Sequence, residues 1–501
     1  MSSPTELLPD EEAPHAVPSA TADAQRKAAP EGPTPGFWAS VREALHGSQQ
    51  DFTRGPIGRA ILLLAVPMVL EMAMESVFAV TDIFFVARLG PEAVAAVGLT
   101  ESLLAAVYAL AMGLAIGATA VVARRIGEKD AEGAAHAAAQ AVVLGLGVAI
   151  VLGAVGVSLA PQLLRLMGAS DEVLRVGVGY TRVMLGGEAS IILLFVANAI
   201  FRGAGDAAIA MRTLWLANGI NIVLGPLLIF GPGPFPALGV TGAAVATTIG
   251  RATGAGYAIW RLTRPHASES SAATRVRIAA RHLRPDRAAI AALTKLSSSA
   301  ALQAIVGTAS WIGLVRIVAT FGSDALAGYT IAIRVVVFAI LPAWGMSNAA
   351  ATLVGQALGA KDPARAEQAV WKTAHYNAIF MGTLGLLFFV AAGPIISLFT
   401  TDPAVAPLGV RCLRIVSAGF VLYAYGMVFT SAFNGAGDTR TPTWLNVAVF
   451  WLFEIPLAWA LAVPLGWGPT GVFTSIAIAF SALAIVSGLI FRRGKWKTQQ
   501  V

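Results

Sequence analysis

The chain has 501 residues, 56% of them hydrophobic and only 13% charged, with a mean hydropathy of +0.71. That balance excludes a soluble globular protein and leaves a polytopic membrane protein. The formal charge of +7 does not point to nucleic acid, because the basic residues sit beside apolar runs; a single Cys412 and six scattered histidines exclude a disulfide framework and a cysteine or histidine metal cluster.

Residues 1–55 are rich in Pro, Ala, Glu and Ser. They lack the short apolar core and small-residue cleavage site of a signal peptide, so a disordered cytoplasmic tail is expected. Apolar segments then recur at about 60–88, 94–122, 135–160, 172–201, 209–230, 239–260, 289–320, 325–355, 368–392, 404–433, 441–463 and 469–491. At a rise of ~1.5 Å per residue each can cross a hydrocarbon core of ~30 Å. The expected fold is all-α, with twelve transmembrane helices.

Lys and Arg in the connections set the orientation. With the N-terminus inside, the inner connections hold Arg124, Arg125, Lys129, Arg202, Arg212, Lys361, Arg365 and Arg440, and a long basic segment runs from Arg261 to Lys295. Outer connections such as Gly90 to Glu92, Gly231 to Pro234 and Thr401 to Pro403 are short and nearly free of basic residues. Both termini are therefore expected in the cytoplasm. Arg88, Arg165, Arg175, Arg411 and Arg414 lie near outer ends, where long basic side chains can snorkel.

The two halves repeat. Gly90 pairs with Gly322, Gly127 with Gly359, Lys129 with Lys361, and Phe201-Arg-Gly-Ala-Gly-Asp206 with Phe433-Asn-Gly-Ala-Gly-Asp438, each at an offset of 232 (322 − 90, 359 − 127, 438 − 206). Six spans per half is an even number, so the halves enter the bilayer from the same side and form parallel repeats with a site expected between them. The expected division is a tail at 1–55, an N-lobe at 56–260, a basic linker at 261–288, a C-lobe at 289–492 and a basic tail at 493–501.

The first span carries Glu71, Glu75 and Asp82, spaced four and then seven apart. On a helical period they share one stripe, and facing lipid each would cost ~2.5–3.5 kcal/mol, so the stripe should face protein or a water-filled cavity. Their repeat counterparts are Gln303, Gly307 and Leu314, so the acids belong to one lobe. That asymmetry favours cation handling; pairing with buried arginines, with Arg316 or Arg334 as partners, is the structural alternative. Pro67 removes a backbone donor and is a candidate hinge. Asn218 and Asn221 share a face of the fifth span and could bond these carboxylates or hold an ion; Asn198, Glu188, Gln303 and Glu454 are secondary candidates. The Gly-Ala-Gly-Asp turns are hinge or cap elements, and no phosphate-binding loop is present, so ATP is not expected as the energy source.

These motifs, with Thr81-Asp82-Ile-Phe-Phe-Val-Ala-Arg-Leu-Gly90, Gly127-Glu-Lys-Asp130, Gly359-Ala-Lys-Asp362 and Asn221 to Pro226, make residues 58 to 492 resemble the multidrug and toxic compound extrusion (MATE) family. The resemblance implies two six-helix lobes forming a V and export of organic cations driven by inward H⁺ or Na⁺. It implies that one branch's key first-helix Asp falls on Asp82, and that its fifth-span Asn and Asp fall on Asn221 and Gly225, the second being absent here. Another branch's seventh-helix Glu falls on Gly307 and is also absent. Glu75 occupies the repeat-equivalent position, so Glu71 and Glu75 are expected to supply the missing charge.

The expected function is therefore secondary active antiport of organic cations or xenobiotics in a bacterial plasma membrane, by a monomer without cofactor or resident metal. Na⁺ could sit at Glu75, Asp82 and Asn221. Lipid-linked oligosaccharide flipping is the alternative and would call for a more basic cavity; an enzyme would need a nucleophile, base or metal cluster that does not appear.

Overall fold

A computed structural model describes residues 36–48, 50–264 and 275–499. Residues 1–35 of the expected tail and 265–274 of the expected linker lie outside the described residues. The spans are, in chain order, Ile57–Val86, Pro91–Gly127, Ala131–Leu166, the bent pair Asp171–Gly186 and Glu188–Ala204, Ala207–Phe230, Val240–Thr263, Arg287–Ala319, Ser323–Gly359, Pro363–Val390, the bent pair Ala406–Ala418 and Phe420–Gly435, Arg440–Ala462, and Pro469–Arg492. Among the described residues nine helices are long and apolar enough to cross a membrane alone, and the two bent pairs raise this to eleven. The sixth, Val240–Thr263, has the length, but Arg251 and a run of threonines and glycines dilute its hydropathy.

The repeat is visible in backbone geometry. The fourth and tenth spans bend by 40° and 54° around Gly187 and Gly419, which are 232 apart (419 − 187). Lys129 and Lys361 take positive φ values of 62° and 59°, closing the second and eighth spans. The next residues, Asp130 and Asp362, then cap the third and ninth by accepting from Gly133 N at 2.8 Å and Arg365 N at 2.9 Å. This explains why Gly-x-Lys-Asp recurs: the Lys makes the left-handed turn and the Asp starts the next helix. Each lobe has its own core, rich in alanine in the N-lobe and carrying more phenylalanine in the C-lobe.

The lobes meet on the face that carries the described N-terminal segment and Arg492, here called the terminal face. Gly345 of the eighth span packs on the Met68–Val69 backbone, beside Pro67, while its counterpart Gly113 packs on Ser297 and Ala301 of the seventh. Nearer the helix ends, Gly127 lies against the Gln356 backbone and Gly359 against Arg124 and Glu128. Gln356 is Arg124 shifted by 232 (356 − 124). Each also reaches across into the other lobe's Gly-Ala-Gly turn: Gln356 Nε2 donates to Gly203 O at 2.9 Å, and an Arg124 guanidinium nitrogen lies 3.4 Å from Ala436 O and donates to Gln499 O at 2.9 Å. The terminal face is closed by this reciprocal contact.

The tail expected to be disordered through residue 55 is ordered from Gly36. Phe37–His46 is a helix with Ser40 and Ala44 buried and Phe37 and Trp38 exposed. The strap after it is held by cations from both lobes. Arg275 donates to Ser48 O and Gln50 O, Lys129 to Asp51 at 2.7 Å, and Arg365 to Phe52 O, Arg54 O and Gly55 O at 2.9–3.1 Å. Burial pushes the Asp51 carboxyl up, but the bonds from Lys129 and Thr53 outweigh it and hold the group at about 2. Low hydrophobicity suggested disorder; backbone carbonyls paired with arginines supply the order instead. The visible end of the linker is likewise docked, through Gln140 to the carbonyls of His282 and Arg284 at 2.7 and 2.8 Å.

Candidate functional site

The first-span stripe turns into the N-lobe, and its three acids meet three different environments. Glu71 is 1% exposed. Its Oε1 accepts from Asn198 at 3.1 Å and from Arg202 at 2.7 Å, while Oε2 has no partner. This buried ion pair ties the first span to the fourth. The expected arginine partners were Arg316 and Arg334; the partner is Arg202, which the loop pattern marked only as an orientation signal.

Glu75 is half-buried and accepts from Asn218 Nδ2 at 3.0 Å. Asp82, also half-buried, forms no ion pair or hydrogen bond among the described residues; its charged neighbours are Glu101 of the second span and Arg251 of the sixth. Arg251 is buried, with its guanidinium 5.8 Å from the Phe78 ring centroid and 5.6 Å from that of Tyr108, and Nη1 lacks a partner. Glu75, Asp82 and Glu101 all lie within its electrostatic reach, yet none pairs with it directly. The centre is thus a cluster of three carboxylates near the buried Arg251, flanked by aromatic rings, with Arg334 of the eighth span also acting on Glu101.

The remaining sequence candidates divide. Asn218 and Asn198 join the stripe as described. Asn221 does not: its Nδ2 donates to Thr247 Oγ1 at 2.7 Å, linking the fifth span to the sixth. It lies three residues beyond Asn218, on the same side of the helix, but among the described residues no hydrogen bond joins it to the acids. Glu188 opens the second half of the fourth span, 1% exposed with Oε2 unpartnered, some ~15 Å along that helix from Asn198. Gln303 is buried; its main-chain carbonyl accepts from Asn446 at 3.2 Å and its side-chain oxygen is unpartnered. Glu454 lies in the C-lobe, at the end of a π-helical stretch. Helix runs unbroken through Pro67, and the eighth span braces that point through Gly345. Among the described residues no group of three His, Cys, Asp or Glu is arranged as metal ligands.

Sequence reasoning missed Glu101, Tyr108, Arg202 and Arg251. The rule that flagged the acids applies equally to Arg251, a charge eleven residues inside the sixth span (251 − 240); only the weaker hydropathy of that span hid it.

The MatE family model matches residues 67–227 and again 300–460, one match per lobe. The chain is similar to the probable multidrug resistance protein YoeA of Bacillus subtilis (strain 168), 27% identical over 455 residues that cover 90% of this chain and 97% of that one. It is also 27% identical, over 80% of its length and 88% of the relative's, to a FAD transporter of Shewanella oneidensis. Among solved structures, it resembles the outward-facing conformation of a multidrug resistance MATE family transporter of the MOP superfamily, with a TM-score of 0.82, 28% identity, and coverage of 89% of this chain and 98% of that chain. With its helical lobes, its intramembrane charge cluster and these likenesses, the chain belongs to the MatE family and is a membrane transporter, not an enzyme.

Proposed function

We propose that the chain is a secondary active antiporter of a bacterial plasma membrane that exports organic cations or xenobiotics in exchange for inward H⁺ or Na⁺, with the terminal face on the cytoplasmic side. The observation that carries the reading is the state of Glu75 and Asp82: two half-buried carboxylates on one helix face at membrane depth, neither neutralised by an ion pair. Such groups are costly unless they bind and release cations in the cycle. Relatives named as multidrug exporters support the same direction.

With the terminal face closed, substrate and coupling ion compete for Glu75 and Asp82. Neutralising them weakens attraction for a bound organic cation, which leaves outward; the lobes then rock and the ion is released inside. Glu71 stays out of this exchange because Arg202 already holds it. Proteoliposomes loaded with a fluorescent cation and given separate H⁺ and Na⁺ gradients should show gradient-driven transport that Glu75→Gln combined with Asp82→Asn abolishes. Undiminished transport by that double variant would sink the reading.

A second reading, export of an anionic nucleotide-like substrate, has Arg251 behind it and a relative named FAD transporter. The two separate on one variant. If cations are the substrates, Arg251→Gln removes a repelling charge and should tighten cation binding by about tenfold, or ~1.4 kcal/mol. Unchanged cation binding together with loss of flavin-nucleotide transport would favour the anionic reading.

A further inference from the structure

The eleventh span contains a π-helical stretch, Val447–Glu454, that ends on a carboxylate. Single π-turns concentrate at functional sites because they misplace one residue relative to the regular ladder. Here Pro456 sits two residues on and has no N–H to close the ladder at that turn. Glu454 is 3% exposed and makes no hydrogen bond or ion pair with any described residue.

What surrounds it is aromatic. Tyr329 of the eighth span and Tyr423 of the tenth lie within its electrostatic reach. Tyr329 stacks on Phe473 at 6.2 Å and Tyr423 on Phe480 at 3.9 Å, both rings coming from the twelfth span. The Tyr329 hydroxyl is buried without a partner. From the seventh span Gly313 packs on Ile455 and brings no charge. Cys412, next to Tyr329, is the remaining titratable group there, and no Lys, Arg, Asp or second Glu acts on Glu454.

An ionised carboxylate in such a box has no counter-charge or hydrogen bond to offset its lost hydration, whereas the neutral acid is far less costly to bury there. The box offers too few oxygens to replace the hydration shell of a metal cation. We propose that Glu454 is a second proton-carrying site, in the C-lobe, separate from the first-span acids. The carboxylate takes one proton from the compartment of higher H⁺ activity and returns it to the other. The π-turn supplies the movement, because relaxing it to α-helix rotates the following residues by ~100° and carries the carboxyl out of the box.

The proposal rests on the antiport reading only for the use made of the proton, so its test has two arms. Infrared spectra of the full-length protein in lipid should show a protonated-carboxyl carbonyl band that disappears as pH rises and is missing in Glu454→Gln. In proteoliposomes, Glu454→Gln should retain substrate binding while the H⁺ to substrate ratio falls by about one proton. A band that is absent, or that does not change with pH, overturns the site, and an unchanged transport ratio overturns its role in coupling. Wild-type protein that shows the titrating band but transports substrate under neither an H⁺ nor a Na⁺ gradient overturns the antiport reading instead.

Discussion

Glu71→Gln is expected to destabilise the protein by about 3–5 kcal/mol, because it leaves the Arg202 guanidinium buried without its counter-charge. The double variant Glu71→Gln with Arg202→Asn should recover most of that loss. The reason lies in the repeat: the counterparts of Glu71 and Arg202 are Gln303 and Asn434 (303 − 71, 434 − 202), so the C-lobe keeps two amides where the N-lobe keeps an ion pair. The double variant rebuilds the C-lobe's own solution in the N-lobe. Thermal unfolding in lipid nanodiscs reads the effect; a double variant as unstable as the single one would show that Glu71 has a role beyond its partner. If gradient-driven transport survives in the double variant, the ion site narrows to Glu75 and Asp82.

Gly127→Val should open the terminal face. A Cβ at Gly127 would stand 2.7 Å from the Gln356 carbonyl carbon, and at Gly359 it would stand 2.9 Å from Glu128 N, both against backbone that cannot swing aside. Overpacking of this kind costs ~1–3 kcal/mol, and here the cost falls only on the closed arrangement, so the populations should shift by about 5- to 150-fold toward the open one. Gly359→Val should do the same by the reciprocal contact. Gly147→Val, where nothing lies within reach of a Cβ, is the control. Distances between spin labels on the two lobes at the terminal face would lengthen in the first two variants alone; unchanged distances would mean that the glycine contact does not hold the lobes shut.

Much of the fold was legible because membrane depth is written in composition. The spans and the 232-residue offset follow from apolar periodicity and repeated turns. The sixth span was visible as a span, but its buried charge was not, since one arginine amid threonines and glycines reads as a weak helix and not as a site. The acid stripe was legible as a stripe. What its members touch was not, because Glu71 meets Arg202 across 131 positions of sequence, and no local rule chooses between Arg202, Arg316 and Arg334. The privacy of the acids to one lobe also had two causes. For Glu71 it reflects a partner lost together with it, whereas for Glu75 no basic residue takes its place in the pairing. The π-turn ahead of Pro456 has no sequence signature of its own, and the strap at 50–55 owes its order to cations far along the chain.

The reciprocal contact on the terminal face has a further meaning. Gly127 against Gln356 and Gly359 against Arg124 is the pattern of an isologous interface, in which residue i meets j and j meets i, as in a two-fold homodimer. Here both halves of that dimer are one chain. A true homodimer would have to carry any carboxylate twice and any arginine twice. Fusion removes that constraint: one half can hold Glu71 against Arg202, with Glu75 and Asp82 near Arg251, and the other Glu454 among tyrosines, while the seam between them keeps its two-fold geometry. The seam is where the halves must remain alike, and the charge clusters are where they are free to differ.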